Sequence, residues 1–266
     1  EYSPELVATP PEIVALIVDI CTKLHLSVHI EFSCIDTYDL YFCCNFEHMQ
    51  KRWTMIESRG QVKPEFGWIF VKQEFLASYE SNLLCLVSLV TKIFDVHPEA
   101  SDTVEKLWRK MRNPEGIAIT LAHKELEILK ILHGKIRKSQ ALESIEVFLL
   151  MCVQPIWPSR TEDVLFFSIK ILRIVYLNRQ RIYNPLKPVL KLANDFQAFQ
   201  TDKVLMGASV ILSAVKLLNI SSHIEDNLLR SMAKLSNLKV KDITALSKEI
   251  CYIAKSTFEN TTENID

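Results

Sequence analysis

The chain has 266 residues, 48% of them apolar and 24% charged, with a formal net charge of −1. This composition is globular, is sufficient for one large or two ordinary domains, and gives no electrostatic case for nucleic acid as the main partner. Five glycines in all argue against glycine-rich phosphate loops and tight-turn β architectures, and favour helices.

The seven cysteines, Cys21, Cys34, Cys43, Cys44, Cys85, Cys152 and Cys251, include no C-x-x-C pair and sit mostly among apolar residues. They read as buried thiols of a reducing compartment, with no disulfide framework and no metal site. No uncharged apolar run reaches the ~18 residues needed to span a bilayer. No signal-peptide pattern opens the sequence, which starts at Glu1 and not Met, so targeting by a preceding segment stays open.

In chain order, Pro10–Pro11 opens a first helix, where the missing N–H costs nothing, and Ile13, Leu16, Ile17, Ile20 and Leu24 repeat at helical spacing. His25-Leu26-Ser27 reads as a break, with Ser27 capping a second helix to about Phe42. Its inner face is Ile30, Cys34, Tyr38 (or Ile35) and Tyr41–Phe42. Residues 45–70 carry Arg59-Gly60, Pro64 and Gly67, and their apolar residues Trp53, Ile56, Phe66 and Trp68 lack a period. They read as a long insertion with at most a helical start, and loops of that length are functional or disordered.

A third helix is expected from about Phe70 to Phe94. In its last part, Leu83–Phe94, nine of twelve residues are apolar, so it belongs at the centre of a bundle. A narrow polar stripe, Ser81, Cys85, Ser88 and Lys92 in steps of 4, 3 and 4, runs down this rod. A helix capped by Ser101 or Asp102 follows through Arg112, with Val104, Leu107, Trp108 and Met111 inward. Asn113-Pro114-Glu115-Gly116 is a turn. A fifth helix, Ile117–Leu132, ends at Gly134 as its C′ glycine.

The second block reads as helices Ser139–Val153, Glu162–Leu177, a short piece around Pro185–Phe199, Lys203–Leu218, Ile224–Leu235 and Asp242–Lys255. Val204–Leu218 is again apolar nearly all round, with Gly207, Ala208 and Ala214 permitting close helix contacts. Two half-chains that each wrap helices around one apolar rod form a weak repeat. The domains are expected at 1–136, with the insertion at about 45–70, and at 137–257, followed by a polar tail at 258–266.

On the fifth helix Ala118, Leu121, Ala122, Leu126, Ile128, Leu129 and Leu132 form the apolar face, and Glu125 falls among them. A buried carboxylate needs a basic or N–H partner, and Lys92 is the natural one. Either the two form an internal ion pair, or both face a groove where a partner protein completes their hydrogen bonds. Catalytic patterns are absent: no G-x-S-x-G, H-E-x-x-H, P-loop or G-x-G-x-x-G occurs. Asp36 and Asp39, three residues apart, read as a solvated face. His25 and His29 lack a third ligand. No enzyme, cofactor or metal is expected. The short basic groups Lys106/Arg109/Lys110/Arg112 and Lys135/Arg137/Lys138 read as solvated helix ends.

At these residues the layout resembles the cyclin superfamily: all-α, two tandem five-helix cyclin-box-like bundles, the first with a long insertion between helices 2 and 3. Leu89-Val90-Thr91-Lys92 resembles the third-helix segment whose lysine contacts a kinase. Lys124–Leu132 is similar to the fifth-helix pattern whose glutamate does the same, and Glu125 falls on it. Asp39 matches the aspartate near the end of the second helix. Thr9, Pro10 and Leu16 stand where cyclins carry the Met-Arg pair and tryptophan of a substrate-docking patch, so the resemblance does not extend to that patch.

Within the superfamily the chain is most similar to the cyclin N-terminal-domain-containing proteins of meiosis. The shared features are the long connection before the third helix, the Glu125–Leu132 segment, Ile174–Leu177 with Ile182-Tyr183, and the apolar helix around Met206–Leu217. The resemblance implies a non-enzymatic nuclear protein of meiotic chromosomes that promotes crossover designation and maturation in recombination. It would bind a cyclin-dependent kinase, through Lys92, Glu125 and Asp39, or meiotic recombination proteins. No sequence-specific nucleic-acid contact and no membrane contact are expected. A kinase-independent scaffold and a cyclin-fold, transcription-type DNA-associated factor are the alternatives.

Overall fold

In the computed structural model, residues 9–58, 64–94, 98–111, 121–188, 193–219 and 221–262 are described. The protein is all-α, with no strand among the described residues. It divides after Lys138 into two compact units, where the sequence suggested a boundary after residue 136.

The first unit contains α1 (Pro11–Lys23), α2 (Val28–Ser58), α3 (Pro64–Phe94), α4 (Pro98–Met111) and α5 (Leu121–Ile131). α1 starts at the expected proline, with the amides of Ile13 and Val14 both donating to the Pro10 carbonyl. It ends where His25 takes a left-handed conformation, φ 54. Ser27 Oγ then accepts from the Ile30 amide at 3.4 Å and starts α2.

α2 does not stop near Phe42. Residues 43–58 contain no proline or glycine, so nothing in their backbone chemistry interrupts the helix before Gly60. α3 likewise begins at Pro64 and not Phe70, with the proline in the first helical position. The expected insertion at 45–70 is therefore mostly two helix extensions, and only 59–63 of it lies outside the described residues, with the side chains of Ile56, Phe66 and Trp68.

α2 is buried continuously from Ile30 to Tyr38, which includes the expected Ile30, Cys34, Ile35 and Tyr38 and also Asp36. Asp36 is thus not on a solvated face. α3 packs against α2, α4 and α5, and Asn82 through Thr91 are all buried. Val104 and Trp108 of α4 turn inward. The expected turn at 113–116, Arg112, Ala118 and the first residues of the expected fifth helix lie outside the described residues. At the other end of α5, Gly134 adopts φ 71 and its amide closes on the Leu129 carbonyl at 2.8 Å. Thr37 then fixes the exit from α5, donating to the Arg137 carbonyl and accepting from the Arg137 amide, each at 3.1 Å.

The second unit contains α6 (Gln140–Phe148), α7 (Gln154–Ile156), α8 (Thr161–Leu177), α9 (Arg179–Tyr183), α10 (Ala193–Thr201), α11 (Lys203–Leu217), α12 (Ser222–Ser236) and α13 (Val240–Thr262). Between α6 and α7 the chain widens into a π turn, Leu149–Val153, just before Pro155. The proline ring would clash with the carbonyl four residues back, and a wider turn relieves that. The single piece expected around Pro185–Phe199 resolves into a 3-10 turn at Asn184–Leu186 and α10, with 189–192 outside the described residues; the short α9 precedes it. α13 continues through Thr262, so residues 258–262 of the expected polar tail are helical; 263–266 lie outside the described residues.

α11 is the buried rod of this unit, packed against α6, α8, α12 and α13, with Leu205 through Val215 all buried. Asp202 caps it, its Oδ1 accepting from the Leu205 amide at 2.9 Å. The close contact with α6 depends on Gly207: a Cβ there would lie 2.8 Å from Ser144 Cβ and 3.0 Å from the Ala141 carbonyl oxygen.

Candidate functional site: the junction of α3 and α5

Lys92 and Glu125 come together. Lys92 Nζ donates to Glu125 Oε1 at 2.6 Å, and Ser88 Oγ donates to the same oxygen at 2.7 Å. Ser88 is fully buried and Glu125 is 8% exposed, whereas the Lys92 side chain is 42% exposed. The arrangement follows from helical spacing. Ser88 and Lys92 are four residues apart on one line of α3, and Glu125 lies on the buried line of α5 with Leu121, Ile128 and Leu132.

A carboxylate removed from water requires strong donors, and here a hydroxyl meets it inside while an ammonium meets it at the rim. Charge-assisted bonds of this kind contribute about 1.5–3 kcal/mol each. The value at Lys92 sits at the low end because water reaches it. Cys85, one turn before Ser88, feels the same charge: burial first, and the Glu125 carboxylate second, push its thiol up to about 12. The polar stripe of α3 is thus a set of groups arranged around one carboxylate. Ser81, farther along, donates to its own helix at the Ser78 carbonyl, 2.9 Å.

Ile93 and Leu126, each next in sequence to one of the charged residues, are apolar and 51% and 50% exposed. Ala122 is also exposed, so this side of α5 is not the core face that its residue types suggested. Lys124 Nζ and His123 Nε2 both face Glu127, at 3.0 and 3.5 Å.

Asp39 lies elsewhere in the unit and forms no bond to Lys92 or Glu125. Its Oδ1 accepts from the Thr9 amide at 3.1 Å and from the Thr9 hydroxyl, holding the strap before α1 onto α2. Thr9 is buried, and nothing in the sequence signalled that pairing. Ser88 was visible as part of the stripe, but its role as an internal donor to Glu125 shows only in three dimensions. Among the described residues no group of histidine, cysteine, aspartate and glutamate is arranged to hold a metal ion. None of the described helices is long and apolar enough to cross a membrane.

No protein-family model matches the chain, and no curated protein or solved structure matches it either.

Proposed function

We propose that the chain is a non-enzymatic, two-box cyclin-like protein of meiotic chromosomes that promotes crossover designation and maturation. In this reading the junction of α3 and α5 binds a mobile helix of a cyclin-dependent kinase, with Lys92 donating to backbone carbonyls and Glu125 accepting backbone N–H groups. The observation that carries the reading is the half-exposed Lys92 ammonium held beside a nearly buried carboxylate; the neighbours in sequence, Ile93 and Leu126, are exposed and apolar. A charged pair that reaches solvent is chemistry a partner helix can use, because both ends of the pair can be redirected to its backbone. The resemblance in residues 89–92 and 124–132 supplies the kinase.

A kinase-independent scaffold for recombination proteins is the second reading, favoured by the fact that Glu125 is already satisfied by Ser88 and Lys92 within the chain. Purifying the protein from meiotic cells and assaying the eluate for associated kinase separates the two. Co-eluting kinase activity supports the first reading; recombination proteins without kinase activity support the second and contradict the first.

A further inference from the structure

The near-zero net charge of the chain conceals one face of the second unit. The outward line of α13 reads Lys241, Thr244, Lys248, Tyr252 and Lys255, in steps of 3, 4, 4 and 3, and every one of these residues is exposed. Helical geometry places them on a single side, and at 1.5 Å per residue the row is about 21 Å long. Exposed Arg230 and Lys234 of α12, and Lys239 in the turn to α13, add charge of the same sign.

From residue 230 to 259 there are thus six basic residues and three acidic ones, the half-buried Asp242 and Glu249 and the exposed Glu259, which ends the row one turn past Lys255. None of the six forms an ion pair or a side-chain hydrogen bond among the described residues. Other surface cations do pair: Lys23 with Asp19, Arg160 with Asp163 and Lys216 with Glu225. Tyr252, at 70% exposure, stands between Lys248, four residues before it, and Lys255, three after.

We propose that this face binds single-stranded nucleic acid without reading its sequence, the lysines pairing with phosphates and the Tyr252 ring stacking on a base. A track of cations interrupted by an aromatic platform is the chemistry of backbone-following single-strand binding. An acidic peptide would use the lysines but not the planar ring. A membrane would require a continuous apolar band on the same side, and the α13 row offers one tyrosine. Overall neutrality does not oppose the contact, since charges act over about 8 Å at physiological salt. The proposal is independent of the kinase reading, because α3 and α5 contribute no residue to it.

The test is fluorescence anisotropy of a labelled 20-nucleotide oligothymidylate titrated with the full chain. Saturable binding is expected at 50 mM salt. Neutralising three phosphates of a single strand predicts a weakening of about 20-fold at 200 mM salt. Combined Lys241→Ala, Lys248→Ala and Lys255→Ala should weaken binding at least tenfold and flatten the salt dependence, with an unchanged melting temperature because these side chains are exposed. Tyr252→Ala should cost about tenfold on the oligothymidylate and leave duplex binding unchanged. The same number of alanines at Lys23, Arg160 and Lys170 should change nothing. No saturable binding at 50 mM salt, an unaffected triple variant, or equally tight binding of polyglutamate or phosphatidylserine vesicles would overturn the proposal.

Discussion

In the first unit the buried rod α3 meets α5 through an ammonium, a hydroxyl and a carboxylate. In the second, the buried rod α11 meets α13 through hydroxyls, the Cys251 thiol and backbone carbonyls, with no charged group in any of these bonds. There Ser213 Oγ lies 3.0 Å from Ser247 Oγ and also donates within α11 to the Ser209 carbonyl at 2.7 Å, while Ser209 Oγ donates to the Ile243 carbonyl at 3.3 Å. All three serines are fully buried. Two helices can therefore be joined in this protein without any charge, and with less desolvation cost than a carboxylate imposes. The ion pair of the first unit is more than helix packing requires, and it stands where one of its members reaches solvent.

The largest expected effect tests the sealed character of the second unit. Gly207→Val forces side-chain atoms into Ser144 and the Ala141 carbonyl, and should cost about 3 kcal/mol or more, read as a fall in the urea midpoint. A wild-type midpoint would mean that α6 and α11 are not in such close contact.

The next effect addresses the charged junction. Lys92→Met leaves Glu125 with Ser88 as its remaining donor, and should destabilise by about 2 kcal/mol, below the usual cost of breaking a buried pair because Lys92 is part-exposed. Adding Glu125→Leu should restore stability to within about 1 kcal/mol of wild type. Ser213→Ala, its counterpart in the second unit, should cost about 1 kcal/mol by chemical denaturation; a loss as large as that of Lys92→Met would remove the contrast between the two junctions.

The smallest effect is on Cys85. A thiol raised from its ordinary value of 9.0 to about 12 stays protonated in the fold while the unfolded chain ionises. Its contribution to stability is complete below the unfolded value and is lost as pH rises through the folded one. At pH 8, alkylation followed by mass spectrometry should leave Cys85 unlabelled while the half-buried Cys44 reacts slowly. Glu125→Gln removes the second cause of the shift and should lower the thiol pKa.

Much of this contrast is legible in the sequence, and the illegible parts have physical reasons. The two rods stand out because residues apolar on every side belong at a centre, and Asn82–Thr91 of α3 and Leu205–Val215 of α11 are buried as that pattern required. Glu125 was conspicuous as a charge on an apolar line, and Lys92 as the charge at the end of another. The end of α2 and the start of α3 were not legible, because the aperiodic apolar residues of 45–70 looked like a loop although nothing in 43–58 breaks a helix. Leu126 and Ala122 have the composition of a core face yet are exposed; residue type does not say whether a neighbouring helix covers it. Asp39 could be seen as a candidate, but its partner Thr9 lies thirty residues away. The α13 cations were hidden because their excess is local to one helix face, while the total charge of the chain is close to zero.

The most direct test of the central claim uses the Lys92→Met, Glu125→Leu protein, which removes both charges and is expected to keep the fold. Under the proposed kinase reading, its affinity for a cyclin-dependent kinase that co-purifies with the wild-type chain would be measured by calorimetric titration. At least a tenfold loss of affinity at near wild-type stability is the predicted result. Unchanged affinity would contradict the claim and leave the pair as an internal brace between α3 and α5.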